Sequence, residues 1–188
     1  MTVVATADNV PRSLRSGRPV SAVPHFKRAE NKMPRLHINF SGPQHGWLGI
    51  KIQAEGGEIS VNASYTPYDT VTEFAEALVR ILELGSSRPI PINEEPQESV
   101  LQFDREDDYL LITHTCVGLS PSEPPKVLKA PFRSATREIA RKLKFLYDEV
   151  GYDGFVKHWG RSPPKDLIAR AWNQFSQQAV SGNRRQRP

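Results

Sequence analysis

Leu36, Ile38 and Phe40 alternate with His37 and Asn39, the period of two expected of a strand with one buried face. Residues 41–46 hold Gly42, Pro43 and Gly46 and read as a loop. Beyond it, Leu48, Ile50, Ile52 and Ala54 alternate with Trp47, Lys51 and Gln53. Gly56-Gly57 then punctuates, and Ile59, Val61, Ala63 and Tyr65 alternate with Ser60, Asn62 and Ser64, which completes a β-hairpin pattern. Three antiparallel strands are expected here. Asp69, Thr70 and Glu73 offer an Asx or Thr cap at capping-box spacing. Val71, Phe74, Ala75, Leu78, Ile81 and Leu82 follow at helical spacing, with Thr72, Glu73, Glu76, Arg80 and Glu83 opposite and Gly85 as the stop.

Residues 88–92 form a short strand pattern interrupted by Pro89 and Pro91, which lack an amide proton and so favour a sheet edge. Residues 99–103 and 109–117 read as a second hairpin, joined by the acidic stretch 104–108, with Leu110, Ile112, His114 and Cys116 on one covered face. Residues 119–131 contain Pro121, Pro124, Pro125 and Pro131 and read as a non-helical connector. The period then turns helical: Ala135, Ile139, Leu143, Leu146 and Val150 over 133–150, a short piece over 155–159, and a last helix opened by Ser162-Pro163 with Leu167, Ile168, Ala171, Trp172 and Phe175 inward. This order predicts an α+β domain over 35–180: an antiparallel sheet of about six strands in two hairpin units and one helix packed on it, over 35–118, with a C-terminal helical group over 131–180.

The length of 188 residues with 38% hydrophobic content fits one such domain with tails. No apolar run approaches the roughly 18 to 20 residues of a membrane-spanning helix. Residues 1–10 lack both a basic opening and an apolar core, so no secretory leader is expected; Met33, directly before the first strand, offers a second possible start. A single cysteine, Cys116, provides neither an intrachain disulfide nor a multi-thiolate zinc site, and a cytoplasmic location is expected.

The net charge of +4 conceals a strong asymmetry. Residues 1–34 (Arg12, Arg15, Arg18, Lys27, Arg28 and Lys32 against Asp8 and Glu30) and 181–188 (Arg184, Arg185 and Arg187) have the composition of disordered basic tails. Between them, residues 35–125 carry 14 acidic and 5 basic side chains, whereas residues 126–180 carry 11 basic and 5 acidic ones.

Catalytic chemistry finds little support. His114 and Cys116, two apart on one strand, are the only pairing with nucleophile character, and they continue the apolar alternation of Leu110 and Ile112. His25, His37, His45, His114 and His158 form no H-x-x-H or H-E-x-x-H pair, and the carboxylates of 104–108 lack calcium-loop spacing, so no metal is expected. No phosphate-cradling glycine motif occurs, and no cofactor is expected. Asn62-Ala63-Ser64 matches a glycosylation acceptor by chance within a strand. The expected activity is binding without catalysis.

Two surfaces compete for that role. Glu73, Glu76 and Glu83 on the first helix, Glu94, Glu95 and Glu98 before the second hairpin, and Asp104, Glu106, Asp107 and Asp108 at its turn are expected to form a negative wall that steers a basic protein partner. Arg133, Arg137, Arg141 and Lys144 instead align along one helix face, with Lys142 on the flank, and offer a stripe for nucleic-acid phosphates, helped by the Arg-rich tails.

Gly46-Trp47-Leu48-Gly49-Ile50-Lys51-Ile52, the run Val61-Asn62-Ala63-Ser64-Tyr65, Phe74-Ala75-Glu76-Ala77-Leu78 and Glu94-Glu95-Pro96 together resemble small, mostly uncharacterised bacterial proteins among the immunity proteins of polymorphic toxin systems. The resemblance covers roughly residues 36–118 and leaves out the basic C-terminal helices. It implies a stoichiometric inhibitor that occludes a toxin, such as a basic nuclease, and catalyses nothing itself.

Overall fold

The structure is a computed structural model that describes residues 34–118 and 124–184, with side chains through Phe175. The expected basic tails therefore lie outside the described residues, apart from Pro34 and residues 181–184. Those last four residues continue the final helix, so the helix runs further than its sequence pattern indicated.

Three strands open the fold: β1 (His37–Phe40), β2 (Trp47–Ala54) and β3 (Gly57–Ser64) pair in the order β1-β2-β3, antiparallel throughout. Their register places Ile38 against Ile52 and Ile50 against Val61, so the apolar phase of every strand falls on one face. Helix α1 (Thr70–Leu84) follows. Asp69 caps it: its carboxylate accepts from the Thr72 amide at 3.4 Å and the Thr72 hydroxyl at 2.7 Å. Gly85 ends it in a left-handed conformation, φ 80°, that a side chain would strain.

A second antiparallel sheet then forms from β4 (Ile90–Asn93), β5 (Glu98–Glu106), β6 (Tyr109–Val117) and β7 (Lys126–Pro131), in chain order. The six strands expected in one sheet are thus seven in two. The additional strand, β7, lies inside the proline-rich stretch read as a connector; Pro125 precedes it and Pro131 closes it, leaving Val127 to Ala130 free to pair with β6. The second correction is the division itself. β3 does not continue the ladder into β4 but crosses the ends of the second sheet. Near its start, Glu55 bridges to Lys129 of β7. Near its end, the Asn93 side-chain amide donates to the Thr66 carbonyl at 2.6 Å beside β4. Glu94 fastens this corner, accepting from the Asn62 amide at 3.3 Å and the Ser99 hydroxyl at 2.8 Å.

Both sheets turn their apolar faces to a shared core. Ile38, Leu48, Ile50, Ile52 and Ile59 line the first, and Ile90, Ile92, Leu101, Phe103, Leu110, Ile112 and Leu128 line the second, all buried. Phe74 of α1 sits between them, its ring meeting Phe40 and Phe103 edge-on at 5.6 Å each. Helix α2 (Phe132–Val150) packs on β1, β6 and β7, and α3 (Tyr152–Trp159) on α2 and β2. The last helix, α4 (Lys165–Arg184), covers α1 and α2. It begins later than Ser162-Pro163 indicated, because two prolines stand in series: the Ile168 amide donates to the Pro164 carbonyl, which sets Lys165 as the first helical residue. Trp159, fully buried, donates its indole proton to Asp69 at 2.9 Å, so the residue that caps α1 also anchors α3. No described helix is long and apolar enough to cross a membrane.

Candidate functional site

The face of the second sheet turned away from the core is built by strand alternation. Residues between Ser99, Leu101 and Phe103 must point outward, and the register stacks them in rows across the sheet: Pro91, Val100 and Thr115; Gln102, Thr113 and Val127; Asp104, Leu111 and Lys129; Glu106, Tyr109 and Pro131. Val100, Leu111 and Tyr109 are half-buried, and Val127 is 46% exposed. An apolar centre of valine, leucine and threonine therefore faces outward.

Carboxylates stand at both ends of this face. Glu98 is exposed at the start of β5, in the row of Asn93 and Val117, and Glu95 is exposed in the loop before it, where the Asn93 side-chain oxygen accepts from its backbone amide at 3.2 Å. At the far end, Asp104 accepts from the Gln102 side chain at 3.4 Å. Asp107 and Asp108 occupy the β5–β6 turn, where Asp107 takes a left-handed conformation, φ 53°. None of Glu95, Glu98, Asp104, Asp107 and Asp108 forms an ion pair among the described residues. Glu106 does, with Lys129 at 3.2 Å, while the Lys129 ammonium also lies 4.5 Å from the Tyr109 ring centroid.

The remaining acidic candidates are used differently. Glu94 is turned inward to the corner between the sheets. Glu83 is held by Arg170 and Gln174 of α4, and α1 as a whole is enclosed rather than presented. Glu73 is partly buried; loss of water, then the neighbouring carboxylates of Glu76 and Asp69, push its pKa above the ordinary value despite Arg88. Glu76 alone of the three is exposed without an ion pair among the described residues. The structure thus brings the strand-end carboxylates to one sheet and leaves those of α1 apart from them.

On the opposite side of the charge map, Arg133, Arg137, Arg141 and Lys144 are all exposed along α2. Arg141 forms a two-pronged pair with Glu138 at 2.8 and 2.9 Å, and Lys144 pairs with Asp148, which pushes the pKa of both cations up and leaves them charged. Arg137 lies 6.0 Å from the centroid of the Trp172 ring. Beside this stripe runs a groove of about 520 Å³ lined by Arg35, His37, Ser134, Glu138 and Arg141.

The His114 and Cys116 pairing does not sit on a covered face as expected. His114 is half-buried and Cys116 is exposed, at the end of β6 where its pairing with β7 stops at His114 and Lys126. Burial pushes the His114 pKa below its ordinary value, with Lys126 acting in the same direction and Glu94 against it. Its Nε2 is buried without a hydrogen-bond partner among the described residues. No three His, Cys, Asp or Glu residues come together as metal ligands among the described residues.

Sequence reading missed the outward apolar centre. Val100 was visible in the polar phase of its strand, but Val127 lies on the unread seventh strand, and only the ladder brings it beside Thr113. Fold and surface together define an α+β protein with two antiparallel sheets on a common core and an acidic-ended outer face. No known family, curated protein or solved structure matches the chain.

Proposed function

We propose that this protein is a non-catalytic binding module of the cytoplasm that covers a basic protein partner, in the manner of the toxin-neutralising immunity proteins its first half resembles. One observation carries the reading: five carboxylates, Glu95, Glu98, Asp104, Asp107 and Asp108, stand at the two ends of one sheet face without neutralising cations among the described residues. Held on short turns and strand ends rather than on long loops, they give a field fixed in direction, which raises the rate of encounter with a cationic surface. The test mixes the purified chain with the protein encoded beside its gene and measures complex formation by calorimetry across salt concentrations. A one-to-one complex whose association slows with added salt is expected; absence of any complex removes the reading.

A second reading rests on α2, where Arg133 and Arg137 are exposed without a carboxylate partner among the described residues, on the helix whose Arg141 lines a groove with Arg35 and His37. It makes the chain a nucleic-acid-associated protein. A labelled duplex should then bind with a steep salt dependence and be lost when Arg133 and Arg137 are changed to Glu; affinity unmoved by either rejects it.

A further inference from the structure

We infer that the docking surface is the outer face of the four-stranded sheet, and that its occupant is a basic protein presenting an apolar ridge between two cationic ends. The inference rests on the proposed binding function and goes beyond it by placing the surface and stating the partner's chemistry. Three features of the face converge. Its centre is apolar: Pro91, Val100, Leu111 and Val127 project outward from four neighbouring strands, with Thr113 and Thr115 between them. Its ends carry carboxylates in excess, Glu98 and Asp104 standing six positions apart on β5, hence about 20 Å at the rise of an extended strand, while the one cation of these rows, Lys129, is paired with Glu106. Its margins are covered in part. Glu55 covers β7 through the hydrogen bond from the Lys129 amide at 2.8 Å, and the segment after α1 covers β5 beyond β4, the Arg105 amide donating to Gly85 at 2.8 Å and the Phe103 amide to the Ser87 hydroxyl at 2.9 Å. A partner approaching the face therefore meets side chains, and these contacts hinder its addition as a further strand.

The dimensions select among occupants. Four strands spaced about 4.8 Å apart over that length offer roughly 300–400 Å², well below the ~800 Å² per partner of a stable interface. The apolar centre alone is too small, and the acidic ends have to be engaged as well. A second copy of this chain stacked on the same face would set rim carboxylates against rim carboxylates, and a nucleic acid would meet them with phosphates; both contacts repel. A surface of lysine and arginine flanking valine- or leucine-like side chains satisfies centre and rim together.

The test uses the full chain, isotopically labelled, and a synthetic peptide with a central run of valines between two lysine ends. Amide resonances of Val100, Leu111, Thr113 and Val127 should move on titration. Val127→Lys should weaken binding about tenfold, and so should Asp107→Lys with Asp108→Lys, whereas Ser60→Lys on the first sheet should change nothing. Thr113→Arg provides a second outward variant should Val127→Lys lower the melting temperature. Absence of resonance shifts on this face, shifts confined to α2 or the first sheet, equal binding of a lysine–serine peptide, equal binding of a DNA duplex, or concentration-dependent dimerisation abolished by Val127→Lys would each overturn the inference. The two levels separate cleanly. If the neighbouring gene product binds and Val127→Lys and Thr113→Arg leave that complex intact, the binding function stands and this docking face falls. If no protein binds at all, the function itself falls.

Discussion

On the first sheet the outward positions His37, Asn39, Lys51, Gln53, Glu58, Ser60 and Asn62 are polar, with the half-buried Trp47 at one end; on the second the middle rows hold Pro91, Val100, Gln102, Leu111, Thr113, Thr115 and Val127, with Glu98, Asp104, Glu106, Tyr109 and Lys129 in the rows toward the ends. Inward, the two sheets are alike, each contributing isoleucines and leucines to one core closed over Phe74. The polar side chains of the first sheet also answer one another: Glu58 takes Lys51 at 2.9 Å and the Gln53 amide, which keeps its pKa low. Folding needs only the inward faces, so the outward ones are free to differ. A polar face whose side chains pair with one another is satisfied in water, while an apolar centre with charged ends leaves apolar area facing the solvent.

The largest test of this comparison asks whether the two sheets are one cooperative unit. Phe74→Ala removes the ring that both sheets touch and should cost about 3–5 kcal/mol, with a single unfolding transition by calorimetry and fluorescence alike. Two separated transitions would show that the sheets are independent. A smaller effect is expected at the corner. Glu94→Ala frees the buried Ser99 hydroxyl and the Asn62 amide and should cost about 1 kcal/mol in urea melts, without altering binding at the outer face.

A pH test follows from His114. Its folded pKa lies below the ordinary 6.5, so as pH falls beneath that value the unfolded chain takes up its proton first. Stability should be constant above 6.5 with respect to this group and decline below it, and His114→Gln should flatten the decline in melts taken on both sides of that pH. The smallest effect belongs to the first sheet's exposed pair: Lys51→Ala should leave the melting temperature within error, because solvent screens the interaction with Glu58.

Much of this arrangement was legible from residue order. The alternation from Leu36 to Tyr65 set strands and faces together, and Pro89 and Pro91 marked β4 as an edge, where it lies. Local signals of this kind depend on neighbours within a few positions. The division into two sheets does not: alternation states which side of a strand is buried, not which strand lies alongside, and the β3–β4 corner is held by Asn62, Asn93 and Glu94 from distant parts of the chain. β7 escaped notice because prolines frame it and Lys126 occupies an inward position at the sheet's end. The same limit governs the candidate site. That the carboxylates were acidic and mostly exposed could be read directly, but the capture of Glu83 by Arg170, 87 positions away, could not, and neither could the row that joins Thr113 to Val127.

Gly56 has no side chain, and the hairpin turn it occupies lies against β7 so closely that a Cβ there would stand 2.2 Å from the Val127 carbonyl oxygen, with φ at 101°. Any other residue would have to lift the turn away, freeing the Lys129 amide from the Glu55 carbonyl on an edge strand of the sheet that carries the outer apolar centre. Such a strand is a template on which identical chains can stack without limit. The missing atom at Gly56 is thus what lets the turn close on β7 and keeps that strand's margin covered where the Lys129 amide meets the Glu55 carbonyl.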